Sequence, residues 1–264
     1  MMPHPLLPKL RRLKLSGMVL TLDTRAAQAV ERGLTPVEFL ALLLDDELER
    51  RDQQRLGRQL SWAGCDGQKT LAHFDFTAAP GVNRTLIQDL ATCTFVARHE
   101  NVLICGPTGV GKSHLANALV FEAVKRGYRA LIRPTHRLLA ELHAGRATGA
   151  HPRLLSRVLG VDLVVLDDFG LQPLSAQGIH DLYEIISERY ERKSLIVTSN
   201  RAFEEWAEVF SGNDLLAGAA LDRLTHHAHT LIVRGQSYRQ RGRRKEVSGP
   251  LTALPADNST VGST

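Results

Sequence analysis

The chain has 264 residues, 43% of them hydrophobic and 23% charged, with a formal net charge of +5 and a pI near 9.3. That length holds one large α/β core plus a small accessory domain, and the basic balance suits an acidic partner such as nucleic acid without proving one. No stretch reaches the length of a membrane span, which argues against a membrane partner. The opening residues lack the apolar core of a signal peptide: Pro3, Pro5 and Pro8 break them, and Lys9, Arg11, Arg12 and Lys14 charge them. Cys65, Cys93 and Cys105 have neither metal spacing nor even pairing, which suits a reducing cytoplasm. The expectation is a soluble cytoplasmic protein.

Residues 6–57 read as helices. Leu10, Leu13 and Leu15 begin an apolar stripe that continues through Met18, Leu20 and Leu22. Thr35-Pro36-Val37-Glu38 is a helix start, with Thr35 as N-cap, Pro36 in the first turn and Glu38 as capping-box partner. Phe39, Leu40, Leu43 and Leu44 are the expected buried face of that helix. The mixed charges of residues 46–58 read as its solvated continuation. Residues 62–80, with Gly64, Gly67 and Pro80, read as an irregular linker.

From residue 81 onward, apolar strands at 102–105, 130–132, 163–166, 194–198 and 230–233 alternate with helical segments. That alternation predicts a parallel sheet wound by helices on both faces. After Arg239 the chain is basic and then rich in Ser, Thr, Gly and Pro, a composition expected to be disordered.

Gly106-Pro107-Thr108-Gly109-Val110-Gly111-Lys112-Ser113 follows the first of these strands and leads into a helix at His114. It completes the pattern G-x-x-x-x-G-K-[ST]. Glycines let successive N–H groups turn inward and hold phosphate oxygens at a helix N-terminus. Lys112 then reaches the β- and γ-phosphates, and the Ser113 hydroxyl ligates Mg²⁺. The strand–loop–helix context sets this apart from a mere Gly-rich turn, and the expected ligand is a nucleoside triphosphate.

Residues 163–166 deliver Asp167 and Asp168 at a strand's C-terminal end. Asp167 is the candidate to hold Mg²⁺ opposite Ser113, and Asp168 the candidate to orient or deprotonate an attacking water. Alone, the pair reads equally well as an Asp-rich turn. Asn200 ends the following strand and suits a hydrogen bond to that water or to the γ-phosphate; the plainer reading is a helix cap. Arg223, in Leu221-Asp222-Arg223-Leu224, is a candidate arginine finger acting on a neighbouring subunit, set against a surface pair with Asp222.

Other clusters carry less. His226-His227-Ala228-His229 has no carboxylate or cysteine at fitting sequence spacing, so it reads as the approach to the last strand. Cys93 and Cys105 read as core. Arg137, His143, Arg146, Arg153 and Arg157 form either an ordinary basic helical pair or a DNA-contacting one. The N-terminal basic cluster and Arg241, Arg243, Arg244 and Lys245 are equally open to phosphate contact.

Four ordered elements together resemble the AAA+ ATPases of the IstB/DnaC type: GPTGVGKS, LVVLDDFG, IVTSN and ALDRLTHHAHTLIVRGQSYR. The helical N-terminal region, residues 69–76 and the ending Gln236-Ser237-Tyr238-Arg239 are similar to IstB, the ATP-dependent helper of an insertion-sequence transposase. The resemblance implies an AAA+ three-layer parallel sheet over residues 66–239, a helical partner- or DNA-binding domain over 1–65 and a basic tail over 240–264. It also implies ATP as the bound nucleotide, ATP hydrolysis, binding to double-stranded DNA, ATP-dependent self-assembly and delivery of target DNA to an IstA-like transposase. One departure stands out: AAA+ enzymes usually carry Glu after the metal-binding Asp, and this chain carries Asp168, roughly 1.5 Å shorter in reach, so slow ATP hydrolysis suited to a switch is expected. Two alternatives compete, a DnaC-like helicase loader and a monomeric P-loop kinase. The kinase fits less well, because an Arg in a late Asp-Arg-Leu motif suits an oligomer.

Overall fold

The computed structural model describes residues 5–210, 213–235 and 237. The tail over 240–264, with Arg241, Arg243, Arg244 and Lys245, lies outside the described residues, as do Gln236, Tyr238 and Arg239.

Three helices come first: α1 (Leu7–Arg12), α2 (Ser16–Arg32) and α3 (Pro36–Ala63). The capping box forms as the sequence predicts. The Thr35 hydroxyl accepts from the Glu38 amide at 3.3 Å, and the Glu38 carboxylate accepts from the Thr35 amide at 2.8 Å. Only part of the expected stripe is covered: Met18, Leu22 and Leu43 are buried, but Leu13 is 65% and Leu20 66% exposed, and Leu40 and Leu44 also face outward. Three helices in one layer bury a single stripe each, so leucines beyond it have nothing to pack on.

The charged run is not wholly solvated either. Glu47 is buried and accepts from the Gly17 amide at 2.6 Å and Arg51 at 2.7 Å, while Asp46 receives Arg25. Gly17 is required there, because a Cβ would lie 2.6 Å from the Glu47 Cα. The helix α3 also runs past residue 57 into the stretch read as linker. Its last turn carries Leu60 and Ala63 into the core beneath the sheet, and Gly64, at φ 76°, ends it.

Two short helices, α4 (Arg84–Leu90) and α5 (Thr94–Ala97), lead into the sheet. Its strands are β1 (Asn101–Cys105), β2 (Ala130–Pro134), β3 (Leu163–Phe169), β4 (Ser194–Ser199) and β5 (Ala228–Ile232), in the order β2-β3-β4-β1-β5. Every pairing is parallel, and the strand positions agree with the sequence reading to within two or three residues. Between them lie α6 (Lys112–Lys125), α7 (Thr135–Ala147), α8 (His151–Gly160), α9 (Ala176–Arg189), a 3₁₀ helix (Phe203–Phe210) and α10 (Asp214–Thr225).

Alternate strand residues face opposite layers. Val102, Ile104, Ile132, Val165 and Ile196 pack with α4–α6 and the end of α3. Leu103, Leu131, Val164, Leu166 and Val197 pack with α7–α10. The result is three layers, helix–sheet–helix.

Two polar residues lock strand entries. Asn101 donates to the Leu224 carbonyl at 3.1 Å and accepts from the Leu195 amide at 2.9 Å. Buried Arg189 donates to the carbonyls of Val158, Val161, Asp162 and Ser194 at 2.8–3.0 Å, joining the end of α8 to the entries of β3 and β4. Burial pulls its pKa down to about 9, so it remains charged at neutral pH. Cys93 and Cys105 are buried as expected, and burial raises all three thiols to about 11. Among the described residues, no helix is long and apolar enough to cross a membrane.

Candidate functional site

The central strands β3, β4 and β1 are parallel neighbours, so their carboxyl ends share one edge. The chain leaves β1 through α6 and crosses to β2 at the far side, which opens a crevice at that edge. There the phosphate loop follows β1, Asp167 and Asp168 end β3, and Asn200 follows β4. The sequence expects these three segments to meet, and they do.

The loop's glycines are demanded by what packs on them. Gly106, Gly109 and Gly111 have φ of 151°, 83° and 101°. A side chain at Gly106 would strike the Val233 carbonyl, and one at Gly109 the Ser237 hydroxyl. At Gly111 a Cβ would lie 2.7 Å from the Phe74 ring. Gly111 also caps α6, so Lys112 and Ser113 open that helix with its free N–H groups directed into the crevice.

Lys112 is buried, and its Nζ donates to the Pro107 carbonyl at 2.7 Å and to Asn200 Oδ1 at 2.5 Å. Asn200 is therefore brought against the loop lysine rather than serving as a cap. A cavity of about 570 Å³ opens beside them, within the size range of small-ligand sites. Thr108, Gly109, Val110, Gly111, Lys112, Ser113, His114, Asp168 and Asn200 line it, together with Lys69, His73, Phe74, Asp75, Ala78, Ala79 and Leu171. Gly106 and Pro107 are not part of that wall; Gly106 packs on Val233, and the Pro107 carbonyl holds Lys112.

The two aspartates differ. Asp167 accepts a 2.5 Å hydrogen bond from the Thr198 hydroxyl, and its carbonyl accepts from Thr135. Its carboxylate is thus held at the sheet edge and is not part of the cavity wall. Asp168 faces the cavity. Its φ of 53° is left-handed, a conformation in which Asp and Asn are enriched among non-glycine residues. Its amide donates to Thr198 at 3.0 Å, and β3 shifts register against β4 over this stretch. Thr198 therefore holds the Asp167 carboxylate and the Asp168 backbone at once.

Arg223 is not in the cavity wall. Its guanidinium donates to the Ala219 carbonyl and lies 5.4 and 6.0 Å from the ring centres of Tyr183 and Tyr190. No Asp222–Arg223 ion pair forms among the described residues, so the surface-pair alternative is set aside in this subunit. The five basic residues of α7 and α8 are not one free patch. Arg146 is bound to buried Asp181, and Arg157 stacks on Trp62 at 4.7 Å, while Arg137, His143 and Arg153 are exposed.

Three contributors, Phe74, Ser237 and Thr198, carry no functional assignment from sequence. Phe74 covers Gly111 and packs edge-on against His114, whose Nε2 meets the Thr70 carbonyl at 2.9 Å. Ser237 covers Gly109, and Thr198 positions the aspartates. Phe74, from the IstB-like stretch 69–76, and Ser237, from the IstB-like ending, therefore both lie over the phosphate loop. Their likeness was the available signal; local periodicity gives none.

The loop, its glycine packing, the cavity and the cationic Lys112 beside Ser113 fit a nucleoside triphosphate. Comparison with known proteins agrees. Residues 8–246 match the family model described as IstB-like ATP binding protein. The chain is 39% identical to an ATP-binding protein of insertion sequence IS21 from Pseudomonas aeruginosa, covering 94% of this chain and 93% of that one. It is 41% identical to an insertion-sequence ATP-binding protein of Mycobacterium tuberculosis, covering 89% and 93%. In fold it is similar to DnaI (TM-score 0.55, 23% identity, 62% of this chain and 90% of that one). It is also similar to DnaA from Aquifex aeolicus (TM-score 0.53, 20% identity, 70% and 57%). The crevice is thus that of an AAA+ P-loop fold, and the chain belongs to the IstB-like ATP-binding proteins of IS21-type insertion sequences.

Proposed function

We propose that this protein is an ATP-dependent, DNA-binding regulator of transposition: with ATP bound it assembles on duplex DNA and presents that DNA to the transposase of its own insertion sequence. The observation that carries the reading is the meeting of Lys112, Ser113, Asp168 and Asn200 in one cavity, in a chain whose full-length relatives are insertion-sequence ATP-binding proteins.

In this reading the loop amides of residues 108–113 and the Lys112 side chain hold the triphosphate, and His114 and Phe74 wall the site. The Ser113 hydroxyl in the cavity wall and the Asp167 carboxylate at the sheet edge beside it would hold Mg²⁺, which would neutralise phosphate charge. Asp168 orients water and takes its proton; Asn200 fixes the water or the terminal phosphate. The short reach of Asp168 makes turnover slow, which suits a switch more than a motor. Arg223 completes the site of a neighbouring subunit in a homo-oligomer. In its own subunit it rests on Tyr183 and Tyr190, outside its own cavity wall.

Duplex DNA is bound through phosphates. Exposed Arg137, His143 and Arg153 on α7 and α8, Lys9, Arg11, Arg12 and Lys14 on and just after α1, and the Arg129–Trp62–Arg157 cluster supply the charge. The helical region 1–65 is the partner-choosing part and residues 66–239 the nucleotide-binding part.

The test is capture of the transposase encoded in the same insertion sequence on immobilised random duplex. Retention that requires both this protein and ATP supports the reading. Retention of the transposase to the same extent without this protein, or with ADP in place of ATP, contradicts it.

A further inference from the structure

The histidine run before β5 lacks a metal partner in the sequence, but the fold supplies one. Glu191 lies in the turn between α9 and β4, and His226 and His227 lie in the turn between α10 and β5. The two turns meet. One ligand atom from each of Glu191, His226 and His227 lies within 4.8 Å of the others, and all three side chains are exposed. His226 Nδ1 is 3.8 Å from the Glu191 carboxylate and 2.9 Å from the Tyr190 hydroxyl. Glu191 and His227 both adopt left-handed backbone, at φ 56° and 53°. His229 does not join them; its Nε2 pairs with Glu100 at 2.8 Å.

We propose that Glu191, His226 and His227 form a binding site for a divalent transition-metal ion of the Zn²⁺ class. Two imidazoles and a carboxylate are a donor set that Zn²⁺ takes, with a water in the fourth position. At Zn–ligand bonds near 2.0–2.1 Å, neighbouring donors in a tetrahedral site are about 3.4 Å apart. Closing from 4.8 Å is a matter of side-chain rotation, which exposed residues make freely. The hard cations are the wrong class, since Mg²⁺ and Ca²⁺ take oxygen ligands.

The site is far from the phosphate loop in chemistry but not in consequence. Tyr190 precedes Glu191 and carries part of the stacking surface under Arg223, which lies on the last turn of α10 before His226. A metal bound here staples the two turns on either side of that arginine and fixes its perch. This last consequence rests on the role proposed above for Arg223; metal binding itself does not.

The experiment is calorimetric titration of ZnCl₂ into untagged, chelator-treated full-length protein, with Co²⁺ absorbance as a second readout. The expected result is one strong site per chain with tetrahedral Co²⁺ bands. Glu191→Gln, and separately His227→Asn, should weaken it at least tenfold. Asn is tolerated at φ near 53°, so the backbone is kept, and circular dichroism verifies the fold of each variant. His143→Ala, on the exposed face of α7, should leave the isotherm unchanged. No saturable Zn²⁺ binding, binding unchanged in both ligand variants, or octahedral Co²⁺ bands only would each overturn the proposal. DNA-stimulated ATP hydrolysis with and without Zn²⁺ is measured separately. Metal binding with no effect on that rate leaves the site standing and removes only its link to Arg223.

Discussion

In the proposed reading, Lys112 is the residue on which nucleotide binding turns. It is buried between a backbone carbonyl and Asn200, and its charge is what balances the phosphates. Lys112→Ala is expected to abolish ATP binding, measured with a fluorescent ATP analogue; near-wild-type affinity would unseat the assignment. Asp168→Asn keeps the shape and suits the left-handed backbone at that position, but removes basicity. ATP should still bind while hydrolysis falls by about 10²-fold, and an unchanged rate would move the base elsewhere. Arg189→Leu strands four carbonyls that the guanidinium now satisfies, and denaturant melts should show a loss of roughly 3 kcal/mol or more. The loop, the Asp pair and Asn200 were legible in the sequence because their spacing is local and their strands announce them. Phe74, Ser237 and Glu191 were not, because each meets its partners across many residues of intervening chain.

At the scale of elements, charge ties the helices together. Arg25 grips Asp46 across α2 and α3, and that hydrogen bond holds the Asp46 pKa down to about 2, below its ordinary value. A depressed carboxylate stabilises the folded state above its unfolded pKa of about 3.9 and loses that contribution as pH falls toward 2. Acidification from pH 4 to 2 should therefore loosen the α2–α3 pair, and Arg25→Gln should shift that loss to higher pH, read by helical circular dichroism of the full chain. A pH profile identical in the variant would show that the ion pair carries no such linkage. Asp181 plays the same part for α7 and α8: burial pushes its pKa up, but the hydrogen bonds from Arg146 and His151 outweigh it and leave the group lowered. Sequence read the strands well because buried parallel strands are short apolar runs. It stopped α3 too early because Gly57 and the charged run look like an ending, whereas burial of Leu60 and Ala63 against the sheet carries the helix on. The same reading overfilled the N-terminal core, since periodicity marks apolar faces but not whether anything covers them.

For the whole molecule, the account joins one nucleotide cavity to an assembly on DNA. Its basic surface predicts affinity for random duplexes that falls steeply with salt, because phosphate contacts release counterions; equal affinity at low and high salt would contradict the charge argument. Arg223 is predicted to act between subunits, where such an arginine is worth about 10³ to 10⁵ in rate. Arg223→Ala should bind ATP yet lose DNA-stimulated hydrolysis, and mixing it with Lys112→Ala should restore part of that activity; co-assembly without recovery would return Arg223 to a structural role. The most direct measurement of the central claim is electron microscopy of the purified protein on duplex DNA in ATP, ADP and no nucleotide, with Lys112→Ala alongside. The account predicts ordered protein–DNA assemblies with ATP that are absent in the other states and in the variant. Assemblies that form equally without ATP, or with Lys112→Ala, would contradict it.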